Sequence, residues 1–116
     1  MAASQDRGRA AEALAAAYLE LLGYCVVARN VRLGGVEVDL VADHGPVRVI
    51  LEVRLRGRED FGGAAASVDR RKQARLVRAA QALLQSGVRH VRIDVLALDQ
   101  QPDGLRLTHY CNAFDG

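Results

Sequence analysis

The chain has 116 residues and a mass of 12.5 kDa; 50% of its residues are apolar, 26% are charged and the net charge is +2. That composition specifies one globular domain over 1–116, able to bury about 60–70% of its unfolded surface without a disulfide or structural metal. No uncharged apolar run approaches the roughly 18 residues of a membrane span, and the start, MAASQDRGRA, lacks the apolar stretch and cleavage site of a signal peptide. A cytoplasmic protein with no membrane partner is the expectation.

Residues 5–22 predict a helix, with Leu14, Tyr18, Leu21 and Leu22 on one face and Gly23 at its stop. Tyr24–Val31 reads as a short strand. Val36–Asp43 and Val47–Leu55 alternate as strands around an Asp43-His44-Gly45-Pro46 turn. A loop follows over Gly57–Ser67. Ser67 or Asp69 can cap a second helix that runs to about Ser86 and ends at Gly87. His90–Leu98 is a further strand, Gln100–Gly104 a turn and Leu105–Tyr110 a last strand. The order α-β-β-β-α-β-β implies an α/β fold in which helices flank a mixed β-sheet.

Parity along the hairpin is informative. On the second strand Val36, Val38, Leu40 and Ala42 alternate with Glu37, Asp39, Val41 and Asp43; on the third, Ile50, Glu52, Arg54 and Arg56 share a face. A two-residue or four-residue loop gives opposed residues a constant index sum. Asp39 then faces Glu52, and Glu37 faces Arg54. Opposed residues lie ~4.5–5.5 Å apart, so two carboxylates there repel unless something positive intervenes. Glu52 also sits in the apolar run VILEV, where an unpaired carboxylate is costly. The pair therefore suits a hard cation such as Mg2+ or proton chemistry. The alternative is an ordinary charge network, with Arg54 pairing to Glu37 and Arg48 or Arg56 near by. An odd-length loop would separate Asp39 and Glu52 altogether.

Charge is unevenly spread. Between Arg54 and Arg78 eight basic residues face three acidic ones. Such a segment suits a polyanion such as nucleic acid, or it is simply a solvated arginine-rich face. Arg71, Arg75 and Arg78 form one side of the second helix, while Leu76, Ala80 and Leu83 form the side expected to be buried. Lys72, the only lysine in the chain, falls at the border. It can reach the sheet or snorkel along the helix edge. Cys25 and Cys111, with His44, His90 and His109, show no paired zinc-ligand spacing. Free buried thiols are expected. With no tryptophan and 4% aromatic residues, a stacking platform for single strands is not expected. Asp94, among apolar neighbours, is expected to partner an arginine such as Arg92 or Arg29.

Several fragments, in order and at similar spacing over nearly the whole chain, resemble the YraN-like family (uncharacterised protein family 0102). They are GRAAEALAAAYLELLGY over Gly8–Tyr24, Arg29-Asn30, the segment Glu37–Val41, and Leu51–Arg56. Phe61-Gly62, Val68–Leu76, Arg92–Val95 and Asn112–Phe114 complete the set. The resemblance implies the fold of the PD-(D/E)xK restriction-endonuclease-like nucleases, akin to Holliday-junction resolvases. By that resemblance Asp39 and Glu52 would hold Mg2+ or Mn2+ with the backbone carbonyl of Val53. Glu12 would approach from the first helix, and Glu37 would lie just behind the ligands or join them. The chain departs from the family pattern twice. The lysine of the E-x-K motif is Arg54, which stays protonated and cannot act as a base, and the glycine before the E-I-D segment is Val36. Lys72 is the residue that could replace the missing lysine. On the wheel Glu12 points away from the Leu14/Tyr18/Leu21 face, and an acidic residue early in a helix is favourable through the dipole alone.

Three functions compete on these residues. The first is a metal-dependent nuclease acting on DNA, branched or damaged by analogy with resolvases. Asp39, Glu52, Arg54, Glu37, Glu12 and Lys72 would be its catalytic set, and Arg56, Arg71, Arg75 and Arg78 its nucleic-acid contacts. The second is a nuclease-like domain that binds nucleic acid and has lost its chemistry through Arg54. The third is a protein-interaction module that docks its basic helix on an acidic partner. Resolvase likeness leaves a homodimer open, although the sequence shows no coiled coil or long apolar edge.

Overall fold

The computed structural model describes residues 2–57 and 69–114. Its elements are α1 (Ala2–Leu21), β1 (Cys25–Leu33), β2 (Val36–His44), β3 (Val47–Arg56), α2 (Arg70–Gln85), β4 (Val91–Gln101) and β5 (Gly104–Tyr110). This is the α-β-β-β-α-β-β order expected from the sequence. The loop predicted over 57–67, Phe61-Gly62 within it, and Ser67 as a helix cap lie outside the described residues, save Gly57. Among the described residues no helix is long and apolar enough to cross a membrane.

The five strands form one sheet in the order β1-β2-β3-β4-β5. All neighbours are antiparallel except β3 and β4, which run parallel from Arg48↔Val91 to Arg56↔Asp99. A parallel pair needs a crossover, and α2 supplies it. Asp69 caps α2 by accepting the Lys72 N–H at 2.9 Å. The β1–β2 connection is Gly34-Gly35 with φ of 59° and 79°, a turn that needs two left-handed residues and so favours glycine.

Each helix covers one face. Leu76, Ala79 and Leu83 of α2 pack with Val36, Val38, Val41, Ile50, Ile93, Val95 and Ala97. Ala15, Ala16 and Leu19 of α1 pack with Leu40, Ala42, Val49, Leu51 and Leu96. Two expectations are corrected here. The buried stripe of α1 runs through Ala11, Ala15, Ala16 and Leu19, while Leu14, Leu21 (87% exposed) and Leu22 face outward. The small alanines let the helix axis approach the sheet, and close packing outweighs the larger transfer energy of the leucines. Glu12, three and four positions before Ala15 and Ala16, therefore lies beside the buried face and not away from it.

The second correction concerns β2. Val36 and Val38 pack toward α2, but Leu40 and Ala42 pack toward α1. The strict alternation predicted for this strand breaks between Val38 and Leu40. Asn30 of β1 lies level with that break, between the pairs Arg29↔Leu40 and Val31↔Val38, and takes a left-handed backbone (φ 49°). The residue at the break on β2 is Asp39.

Candidate active site

The hairpin keeps the predicted index sum from His44↔Val47 to Leu40↔Leu51, where the β2–β3 ladder ends. Past that point β3 continues against β4 alone. The two strands part like a fork, and Asp39 and Glu52 are the first residues beyond it. The Asp39 carboxylate takes over from a strand carbonyl: its Oδ2 accepts the Val53 N–H at 2.8 Å. Asp39, Glu52 and Val53 thus meet because a ladder bond is made by a side chain instead of by backbone.

Glu52 is 3% exposed. A carboxylate so buried needs a cation, and two approach it. Lys72 Nζ lies 3.0 Å from Oε2, and Arg54 Nη1 lies 3.4 Å from the same oxygen. Lys72 stands in the first turn of α2, directly after the Asp69 cap, so the helix start aims the chain's one lysine at the sheet. Of the two readings open for Lys72, the structure shows the one that reaches the sheet.

Asp39 titrates far above the ordinary carboxyl range, at about 7. Burial contributes most, then the charge of Glu52; the Val53 N–H pulls it back, Glu12 adds a further push, and Lys72 opposes it. Glu12 is therefore electrostatically part of the cluster. Its Oε1 accepts from Asn30 Nδ2 at 3.0 Å. Asn30 was visible in the sequence only as half of an Arg-Asn motif, and nothing there assigned it a partner.

The other predicted residues are placed differently. Glu37 is exposed and sits opposite Arg32 of β1. The ladder stops before Glu37 could face Arg54, so that expected cross-strand pair is corrected. Arg56 does not join the exposed basic face: its Nε donates to Asp99 Oδ1 at 2.6 Å and its side chain is 12% exposed. Arg71, Arg75 and Arg78 are exposed on α2, as the helical wheel predicts.

A second polar cluster surrounds Asp94. Arg92 grips both its oxygens at 2.8 Å, the Asn112 N–H donates to Oδ1 at 2.8 Å, and His109 Nε2 lies 2.8 Å from Oδ2. Burial pushes the Asp94 carboxyl up, but the bonds from Arg92, Asn112 and His109 together hold it below the ordinary range. Arg92 is thus the partner predicted for Asp94. It also donates to the Tyr24 hydroxyl at 2.8 Å, and Tyr24 stacks on His44 at 4.1 Å. Both cysteines are exposed, contrary to the buried thiols expected. Cys111 Sγ reaches His109 Nε2 at 3.5 Å, and the ligand atoms of Asp94, His109 and Cys111 lie within 4.8 Å of one another. The Arg92 fork already neutralises Asp94, and burial pushes the Cys111 thiol up, away from the thiolate a metal requires. This network ties β4 to β5 and to the residues after it.

The fold and the site define a small α/β domain with a buried Glu52, a half-buried Asp39, a lysine and an arginine at a strand fork. The profile described as "Uncharacterised protein family UPF0102" matches residues 11–98, and the chain belongs to that family. A UPF0102 protein of Halorhodospira halophila is 48% identical over 95 residues, covering 82% of this chain and 78% of the relative. One from Xanthomonas campestris is 53% identical over 83 residues, covering 72% and 68%, and one from Janthinobacterium is 44% identical over 101 residues, covering 85% and 82%. Among solved structures, Pyrococcus furiosus SfsA in complex with Ca2+ aligns with a TM-score of 0.38 and 14% identity, over 91% of this chain and 62% of that one.

Proposed function

We propose that the protein is a divalent-metal-dependent nuclease of the PD-(D/E)xK kind that hydrolyses phosphodiesters in DNA. The observation that carries this reading is the 3.0 Å contact from Lys72 to Glu52. A lysine delivered by α2 stands where the E-x-K lysine would act, although the motif position itself holds Arg54.

The donor set fits a hard dication. Asp39 and Glu52 offer carboxylate oxygens, the carbonyl of Val53 is adjacent, and no sulfur or imidazole is among them. The repulsion between Asp39 and Glu52 is the kind that a cation held by both relieves. Mg2+ or Mn2+ bound there would acidify a water and shield the charge of the phosphate. In the hydrolysis that follows, the water oxygen bonds to phosphorus and one P–O ester bond breaks. One water proton goes to the leaving oxygen and the other to solvent. Lys72 and Arg54 supply fixed positive charge for the negative charge that grows on the phosphoryl oxygens. Arg71, Arg75 and Arg78 offer a face for the flanking backbone, whereas the Arg56 charge is matched by Asp99. Glu37, exposed two residues before Asp39, is left as an outer group. By resemblance to resolvases, branched DNA is the substrate of choice, and a cytoplasmic homodimer belongs to the same reading.

Arg54 favours a second reading, a nuclease-like domain that binds nucleic acid without cutting it. A Mg2+ and Mn2+ titration against linear, single-stranded and four-way-junction DNA separates the two. Metal-dependent cutting by the wild type, lost in Asp39→Ala and in Lys72→Ala, is the expected result. Cutting only by Arg54→Lys, or salt-sensitive binding with no cutting, would establish the second reading instead. Cleavage undiminished in Asp39→Ala would overturn the assignment of the site.

A further inference from the structure

We infer that Asn30 is a positioning residue for the metal site, holding the Glu12 carboxylate at the edge of the Asp39/Glu52 pair. The inference rests on the metal-site reading above and adds a residue to it.

Asn30 has an unusual backbone for its place. It lies inside β1 yet adopts φ 49°, a conformation that side chains other than glycine and asparagine adopt only with strain. The bend falls level with Asp39, where β2 changes the face to which its residues pack. One residue thus does two things. Its backbone turns left-handed level with Asp39, and its side chain leaves the strand to reach α1. There Nδ2 donates to Glu12 Oε1 at 3.0 Å.

The bond is exposed, so it contributes little to stability. Its effect is on direction. Around Glu12 the sheet-facing residues of α1 are the small Ala11, Ala15 and Ala16. The partner of Glu12, Asn30, stands level with Asp39 on the neighbouring strand, so the bond holds the Glu12 carboxylate at the edge of the pair. An amide that donates one hydrogen bond to a carboxylate fixes which oxygen remains free to turn inward. Outer groups of this kind typically change metal affinity about 10- to 100-fold.

Glycine at position 30 keeps the left-handed backbone and removes only the amide. The experiment is a Mn2+ titration, read by electron paramagnetic resonance, of the full chain as wild type, Asn30→Gly, Glu12→Gln and the double variant, with Asp39→Ala as the control. The wild type is expected to bind Mn2+ in an Asp39-dependent manner. Asn30→Gly should bind about 10-fold more weakly while its thermal midpoint stays within roughly 3 °C of wild type. In the Glu12→Gln background the same substitution should cost no further affinity, because Asn30 acts through Glu12. Unchanged Mn2+ affinity in Asn30→Gly overturns this inference alone, and so does a loss that adds in full to that of Glu12→Gln. Failure of the wild type to bind Mn2+ through Asp39 overturns the metal-site reading and the inference with it.

Discussion

Asp39→Asn should make the protein more stable above neutral pH while abolishing its chemistry. Asparagine keeps an oxygen to accept the Val53 N–H, so the bond at the fork survives. It removes the charge that burial and Glu52 resist. The carboxyl is displaced from 3.8 to about 7 in the fold, which corresponds to about 4 kcal/mol of differential stability. Because the folded value is raised, that stability is fully present below about pH 4. It is lost as pH climbs through about 7, where Asp39 must ionise beside Glu52. Asp43 and Asp94 act in the opposite sense: both are held below the ordinary range, and they lose stability as the solution becomes acid. The difference between wild type and variant removes those common contributions. Urea melts of both proteins from pH 4 to pH 9 should therefore coincide at the acid end and diverge by up to about 4 kcal/mol at the basic end, with Asp39→Asn the more stable. Mg2+ at about 100 times its Kd should raise the wild type by about 2.7 kcal/mol and leave the variant unmoved. Parallel curves, or a variant less stable than wild type at pH 8, would show that the Asp39 charge is not strained in the fold.

Four further outcomes follow from the same contacts. Lys72→Ala should lower cleavage at least ~100-fold, and more than Arg54→Ala does, because the shorter contact to Glu52 is the lysine's; initial rates on a junction substrate decide the order. Asp94→Ala leaves the Arg92 guanidinium without its carboxylate and should cost about 3–5 kcal/mol, read as a lowered denaturation midpoint. Gly34→Ala combines φ +59° with a new Cβ only 3.0 Å from Ala82 Cβ and 3.3 Å from the Arg78 carbonyl, so it should destabilise by ~2–3 kcal/mol, whereas Gly35→Ala, with open space around it, should cost only about 1 kcal/mol. Replacing Arg71, Arg75 and Arg78 by alanine should weaken DNA binding and flatten the slope of log affinity against log salt by about 2–3, with Mg2+ binding unchanged in the same protein.

Element order was legible because the strands are rich in valine, isoleucine and leucine and are punctuated by glycine, proline or aspartate, and because Asp69 offers a cap that the helix uses. The register of the hairpin was legible too, since a tight turn leaves only one index sum for an even loop. What periodicity could not supply was the choice between two equally regular stripes on α1. Leucines at 14, 21 and 22 and alanines at 11, 15 and 16 both repeat at helical spacing. Only the distance between helix and sheet decides which is buried, and that is a tertiary quantity. The break in β2 was hidden for a similar reason. It lies level with a left-handed residue on the neighbouring strand, which no pattern internal to Val36–His44 reveals.

The arrangement around Glu52 shows what local motif reading leaves out. On the proposed nuclease reading, Glu52-Val53-Arg54 occupies the place of an E-x-K motif, with arginine where the lysine would stand. Read through the fold, the chain's only lysine, twenty residues further on, returns to the same carboxylate oxygen by way of a helix whose cap fixes its first turn. A parallel β3–β4 pair requires some crossover, so the start of α2 must come back to the carboxyl end of β3. The residue in its first turn is then brought near the side chains leaving that end of the strand. On the proposed nuclease reading, a lysine there and a lysine two residues after the glutamate would be alternative routes to one position beside the carboxylate. Glu52 thus receives positive charge from two elements of the fold, Arg54 on its own strand and Lys72 on the crossover helix.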